Sequence, residues 1–156
     1  MPRAVHPICL TVLLLFAAAS HADPPKSIFG VYVHLSRVCG GPGSADGPVD
    51  CGLVFEDRLT ITARSTENAQ GSASVSFAVR NKYMDACLFI GQGTWSNGQL
   101  VLSQTEKPTD VSCRLTISFS KAGARLSDPA DKCRPGLCFG SGRKLDGVLF
   151  KKERDQ

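Results

Sequence analysis

Histidine is scarce in this chain, and the scarcity deepens once its first segment is set aside. Of three histidines, His6 and His21 fall within residues 1–22, which leaves His34 alone. One imidazole cannot build a zinc or iron centre on histidines. A Ser-His-Asp triad would depend on it, and no Gly-x-Ser-x-Gly elbow is present. Aromatic residues are only 7% of the chain and are not interleaved with the basic ones, so no stacking platform for nucleic acid is read. No segment shows a sustained helical period behind a capping residue, and 15 glycines with 9 prolines argue against a helical bundle. After residues 1–22 no run is apolar enough to span a bilayer. The hydrophobic share of 42% and charged share of 21% are ordinary, which excludes wholesale disorder. At 156 residues the chain holds one domain with a real core and not two of usual size.

Residues 1–22 carry Arg3, an apolar run from Ile8 to Ala19 centred on Leu13-Leu14-Leu15-Phe16, and then Ser20-His21-Ala22. That is the pattern of a secretory signal peptide cut after Ala22, leaving residues 23–156 as the mature domain. The run falls short of the roughly 18 to 20 residues a spanning helix needs. Export into the bacterial periplasm is the expected destination, with no membrane insertion after cleavage. Cys9 leaves with the signal, so seven cysteines become six: Cys39, Cys51, Cys87, Cys113, Cys133 and Cys138. An even count in an oxidising compartment is read as three disulfides. Zinc would need two short cysteine pairs, and only Cys133 and Cys138 are close. Of fifteen possible pairings, the one preferred from strand positions is Cys39–Cys51, Cys87–Cys113 and Cys133–Cys138.

The mature chain repeats apolar/polar alternation punctuated by Gly, Asn, Asp or Pro. In residues 71–79, Ala73, Val75, Phe77 and Val79 alternate with Ser72, Ser74 and Ser76. In residues 111–120, Val111, Cys113, Leu115, Ile117 and Phe119 alternate with Ser, Arg and Thr without a break. Period two marks strands with one buried face. Further strands are expected at 28–35, 53–63, 86–95, 99–104, 124–127 and 147–151. Asn97-Gly98 is the preferred pair for a two-residue hairpin that needs positive φ twice. Eight short antiparallel strands predict an all-β, disulfide-stapled up-and-down barrel, with a β-sandwich as the alternative. The large inward residues Phe77, Leu115, Ile117 and Phe119 would fill an eight-stranded interior.

Nothing marks a catalytic pair of carboxylates. Glu56 and Asp57 are adjacent on a strand, face opposite sides, and are expected to form an ordinary solvated edge. His34 is expected on a strand face with Tyr32. No enzymatic activity, cofactor or metal is expected. Charge is uneven: residues 23–120 hold 8 basic and 9 acidic side chains, and residues 121–156 hold 9 and 5. The most unusual stretch is 138–147, Cys-Phe-Gly-Ser-Gly-Arg-Lys-Leu-Asp-Gly, where small residues, a hydroxyl and two cations follow a cysteine loop.

Gly140-Ser141-Gly142-Arg143-Lys144 followed by Gly147 resembles the Ser-Gly-x-(Lys/Arg) loop of the small periplasmic lysozyme inhibitors. Those are exported, disulfide-bearing, eight-stranded barrels. The resemblance implies that Ser141 and either Arg143 or Lys144 enter a hydrolase active site. Arg134, in the preceding cysteine loop, is also expected as a partner contact. Leu145 stands where that family has an aromatic residue. The net positive charge suits a less basic wall hydrolase, or a toxin delivered by a competitor, better than a strongly cationic lysozyme. The leading expectation is therefore a monomeric binding protein that inhibits, or gives immunity to, a cell-wall hydrolase. Its alternatives are a carrier of a small apolar ligand in the barrel and an envelope adaptor. The partner is a protein, not a nucleic acid.

Overall fold

The computed structural model describes residues 22–38, 52–64, 71–81, 85–104, 114–139 and 144–153. They form β1 (Gly30–Val38), β2 (Leu53–Ala63), β3 (Ser72–Arg80), β4 (Ala86–Ser96), β5 (Gln99–Gln104), β6 (Thr116–Ser120), β7 (Gly123–Ser127) and β8 (Leu149–Lys152). Each strand pairs antiparallel with the next. β8 returns to β1 through Tyr32↔Lys152 and Val33↔Lys151, so the sheet closes into an up-and-down barrel. Closure leaves no strand edge exposed. The sandwich alternative is not adopted. The signal-peptide assignment falls, except for Ala22, outside the described residues.

Alternation does what the pattern predicts. In β3 the buried Ala73, Val75, Phe77 and Val79 alternate with half-buried serines. Leu59, Ile61, Leu100, Ile117, Leu126 and Phe150 are fully buried in the interior. Phe77 and Phe89 stack with centroids 5.5 Å apart. Leu115 is buried, and Phe119 packs half-buried against Tyr32 and Trp95. On β4 an inward position falls to glycine: a Cβ on Gly91 would lie 2.5 Å from the Ser103 carbonyl oxygen and 2.8 Å from the Phe89 ring. The missing side chain makes room for the phenyl ring and lets β5 approach. Asn97 and Gly98 turn between β4 and β5 with φ of 51° and 79°, as a two-residue hairpin requires.

Some boundaries move. β1 starts at Gly30 because residues Lys26–Ile28, after Pro24-Pro25, form a 3-10 turn. β6 begins at Thr116, although the Leu115 carbonyl still accepts the Leu102 N–H at 2.9 Å. Residues 111–113 of that expected strand lie outside the described residues. The stretch before β8 holds a 3-10 turn at Pro129–Asp131 and one helical turn, α1 (Arg134–Leu137). Four residues are too few to display a helical period.

The disulfide pairing differs from the one preferred above. Cys87 bonds Cys138, not Cys113, and Cys133 does not bond Cys138. The residues between Cys133 and Cys138 coil into α1, where the Gly136 and Leu137 N–H groups donate to the Cys133 carbonyl. Cys138 then extends and bridges to Cys87 at the start of β4. Cys133 is itself disulfide-bonded. Cys39, Cys51 and Cys113, with the expected Cys39–Cys51 bridge, also lie outside them.

Candidate partner-binding end of the barrel

An up-and-down barrel sends alternate connections to opposite ends. The β1–β2, β3–β4, β5–β6 and β7–β8 connections leave one end, and all six cysteines after residue 22 belong to these connections or border them in sequence. The β4–β5 and β6–β7 hairpins, Asn97-Gly98 and Lys121-Ala122, turn at the other.

At the looped end the β7–β8 connection does not simply turn back. β4 and β8 stand opposite each other in the eight-strand closed order, yet Cys138 is bridged to Cys87 of β4 and the Phe139 N–H donates to the Ala86 carbonyl at 3.0 Å. The chain therefore crosses from β7 to β4 and must return to β8. Cys133, Leu137, Leu145 and Val148 point into the core from this crossing. Residues 128–139 and 144–148 thus form a cap packed against this end of the barrel.

The base of the cap is fixed by polar contacts. The Asp128 carboxylate, 1% exposed, accepts the Cys133 N–H at 3.1 and 3.2 Å. Burial pushes its pKa above the ordinary carboxylate value, against the pull of that backbone bond, and Asp131 and Asp146 push the same way. Asp146 accepts from the Ser127 hydroxyl and the Asp128 N–H. The Gly147 N–H donates to the Leu126 carbonyl, and Arg125 Nη1 donates to the Gly147 carbonyl.

The expected contact residues fall on or beside this cap. Arg134 begins α1 and pairs with Asp131 at 3.3 Å, its side chain 39% exposed. Lys144 is exposed, and Leu145, one residue on, is fully buried. Ser141 and Arg143 lie outside the described residues. On either side of them in sequence, Phe139 is held at β4 and Leu145 is buried in the core. Phe139 is 68% exposed, and Leu35, Leu53 and Val54 on β1 and β2 are also exposed toward this end.

One cluster escaped the sequence reading. Asp57 is fully buried and is not part of a solvated edge. It accepts the Ser36 hydroxyl at 2.5 Å, the Arg80 N–H at 3.1 Å and Arg80 Nη1 at 2.8 Å. Here the β2–β3 ladder has ended at Leu59↔Phe77, while β1–β2 and β3–β4 continue to the strand ends. The carboxylate fills the gap where two strands part and supplies the partner that the Arg80 backbone would otherwise lack. The Arg80 guanidinium also lies over the Phe55 ring at 5.6 Å. Glu56, by contrast, is exposed and pairs with Arg58 at 2.8 Å. The signal was available: Asp57 shares the inward phase of Leu59 and Ile61. His34 is likewise on the inward face with Tyr32, half-buried, its Nδ1 2.9 Å from the Leu149 carbonyl.

Among the described residues no group of three or more His, Cys, Asp or Glu is placed to hold a metal ion. The Asp57 carboxylate is fully buried and accepts from three donors, so the cluster holds strands together and presents no carboxylate oxygen to solvent. No protein-family model, curated protein or solved structure matches this chain.

Proposed function

We propose that the protein is an exported, periplasmic binding protein that inhibits, or gives immunity to, a lysozyme-like cell-wall hydrolase, acting through the capped end of its barrel. The observation that supports this reading is the anchoring on either side of the motif: Cys138, next to Phe139, is bridged to Cys87 of β4 and Leu145 is buried in the core, and Ser141, Arg143 and Lys144 fall between them in sequence. Anchoring both ends of a short segment lowers the entropy lost when it docks. A glycan hydrolase cleft presents two carboxyl groups. A serine hydroxyl can hydrogen-bond one, and a lysine or arginine can pair with the other. The exposed Phe139 supplies apolar area at this end of the barrel, of the kind that central contacts of protein interfaces use.

The filled interior supports surface binding over carriage of an apolar ligand. Phe77, Phe89, Ile117 and Phe150 occupy the space a carried molecule would need. The test is titration of residues 23–156 into a peptidoglycan-clearing assay run with a panel of lysozyme-like hydrolases of graded charge. Inhibition saturating at one chain per enzyme is expected for the less basic members. Unchanged clearing across the panel, with capture from periplasmic extract returning only structural envelope proteins, would assign the adaptor role instead.

A further inference from the structure

The opposite end of the barrel carries a second feature that the cap does not explain. Between the N-terminal 3-10 turn, the Ser120–Gly123 hairpin and the end of β8 lies an open cleft of about 720 Å³, within the range of small-molecule sites, roughly 300 to 1,000 Å³. Tyr32 and Phe119 line it, their centroids 6.2 Å apart. Lys121, Lys151 and Lys152 line it as well, and no acidic side chain does among the described residues.

The three ammonium groups have no carboxylate partner in any ion pair of the described residues. Lys152 is the best defined. It follows Phe150 on the inward phase of β8, folds over the Tyr32 ring at 5.8 Å, and donates to the Ser27 carbonyl at 2.8 Å. A lysine ammonium has three donors, so that single bond leaves donor capacity for a ligand. Lys121 lines the cleft from the hairpin, and Lys151, which alternation turns to the outer face of β8, lines its rim. Burial holds the Tyr32 phenol above its ordinary pKa, so it stays neutral and donates to the Ile28 carbonyl at 2.9 Å. Glu153, next to Lys152, is exposed and does not line the cleft.

We propose that this cleft binds a phosphate monoester, its phosphate met by Lys121 and Lys152 with Lys151 at the rim, and its apolar body resting on Tyr32 and Phe119. Three point-charge cations without an arginine fork suit a compact dianion better than a planar carboxylate, which favours bidentate guanidinium. Clustering like charges beside an aromatic floor, with no acid to offset them, costs stability that a bound dianion returns. The site is at the far end from the cap and does not depend on the hydrolase reading. Its ligand could be a soluble phosphomonoester or the headgroup of a phosphatidic-acid-like lipid, which share this chemistry.

The chain has one tryptophan, Trp95, whose ring lies 6.0 Å from Phe119, so its fluorescence reports on the site. Phenyl phosphate is titrated by Trp95 emission and by calorimetry, with phenol as the uncharged control. Vesicles of phosphatidic acid in phosphatidylcholine, against phosphatidylcholine alone, test the lipid source. The variant is Lys121→Gln, Lys151→Gln and Lys152→Gln together. An equal charge removal at Arg37, Arg58 and Lys132, away from the cleft, serves as control. Saturable binding of phenyl phosphate, weakened about tenfold or more in the cleft variant and kept in the control, assigns a soluble ligand. The same dependence seen only on phosphatidic-acid vesicles assigns the headgroup. The proposal is overturned if neither probe binds, if phenol binds as well as phenyl phosphate, or if both variants lose binding equally.

Discussion

Two adjacent acids on β2 should behave as opposites when removed. In Asp57→Ala the Ser36 hydroxyl, the Arg80 N–H and one Arg80 guanidinium nitrogen all lose their acceptor. Removing one partner of a buried ion pair costs about 3 to 5 kcal/mol. The Arg80 side chain is 32% exposed, so its charge regains some water, and Ser36 keeps the Arg80 carbonyl at 3.3 Å. Both facts place the cost near the lower end, at about 3 kcal/mol. Glu56→Ala removes only an exposed pair with Arg58, worth less than about 1 kcal/mol. Domains of this kind hold about 5 to 15 kcal/mol, so both variants should fold. The assay is urea unfolding of the oxidised mature chain. With a slope near 1.5 kcal/mol per molar, the Asp57→Ala midpoint should fall by about 2 M and that of Glu56→Ala by less than about 0.7 M. Equal midpoints for the two variants would refute the claim that Asp57 joins β1, β2 and β3.

Three further outcomes follow from the same geometry. Non-reducing digestion should recover Cys87 and Cys138 in one linked fragment, and the double variant Cys87→Ser/Cys138→Ser should lose about 4 kcal/mol by the chain-entropy account of a bridge spanning 51 residues; a fragment linking Cys133 to Cys138 would contradict the crossing. Gly91→Ala should cost about 1 to 3 kcal/mol of overpacking, because its Cβ would meet the Ser103 carbonyl and the Phe89 ring; an unchanged melting temperature would contradict the close approach. Asp128 has a folded pKa raised above 3.8, so the folded state holds that proton more tightly than the unfolded one. Its contribution to stability should therefore fall as pH rises from the unfolded value through the raised folded one, then stay level. Asp128→Asn should remove that slope from unfolding free energies measured across the acid range, and an unchanged slope would contradict it.

The barrel was legible because its strands carry their instructions locally. Ser72-Ala73-Ser74-Val75-Ser76-Phe77 can bury only one face, and Asn97-Gly98 can turn only one way. The cap was not legible, since α1 is four residues long and its place is set by a bridge to β4, a strand distant in sequence. The same nonlocality explains the disulfide correction. Pairing the nearest cysteines is sound for loops, but Cys138 belongs to a crossing whose destination only the closed barrel defines. Asp57 was misjudged for a different reason. Its phase pointed inward, but a carboxylate looks exposed until its partners are known, and Ser36 and Arg80 come from two other strands. Leu145, a departure from the loop it resembles, is buried as the anchor where the cap re-enters the core. Arg134, expected as a partner contact, is engaged within the cap by Asp131.

If the cap is the working surface, a single combined variant should weaken inhibition without unfolding the barrel. Ser141→Ala, Arg143→Ala and Lys144→Ala are combined in the mature chain, folding is checked by thermal melt, and inhibition of the hydrolase selected from the panel is titrated beside the parent. The account predicts an unchanged melt and a loss of about 2 to 5 kcal/mol in binding, roughly 30-fold or more. A folded variant that inhibits as tightly as the parent would contradict it.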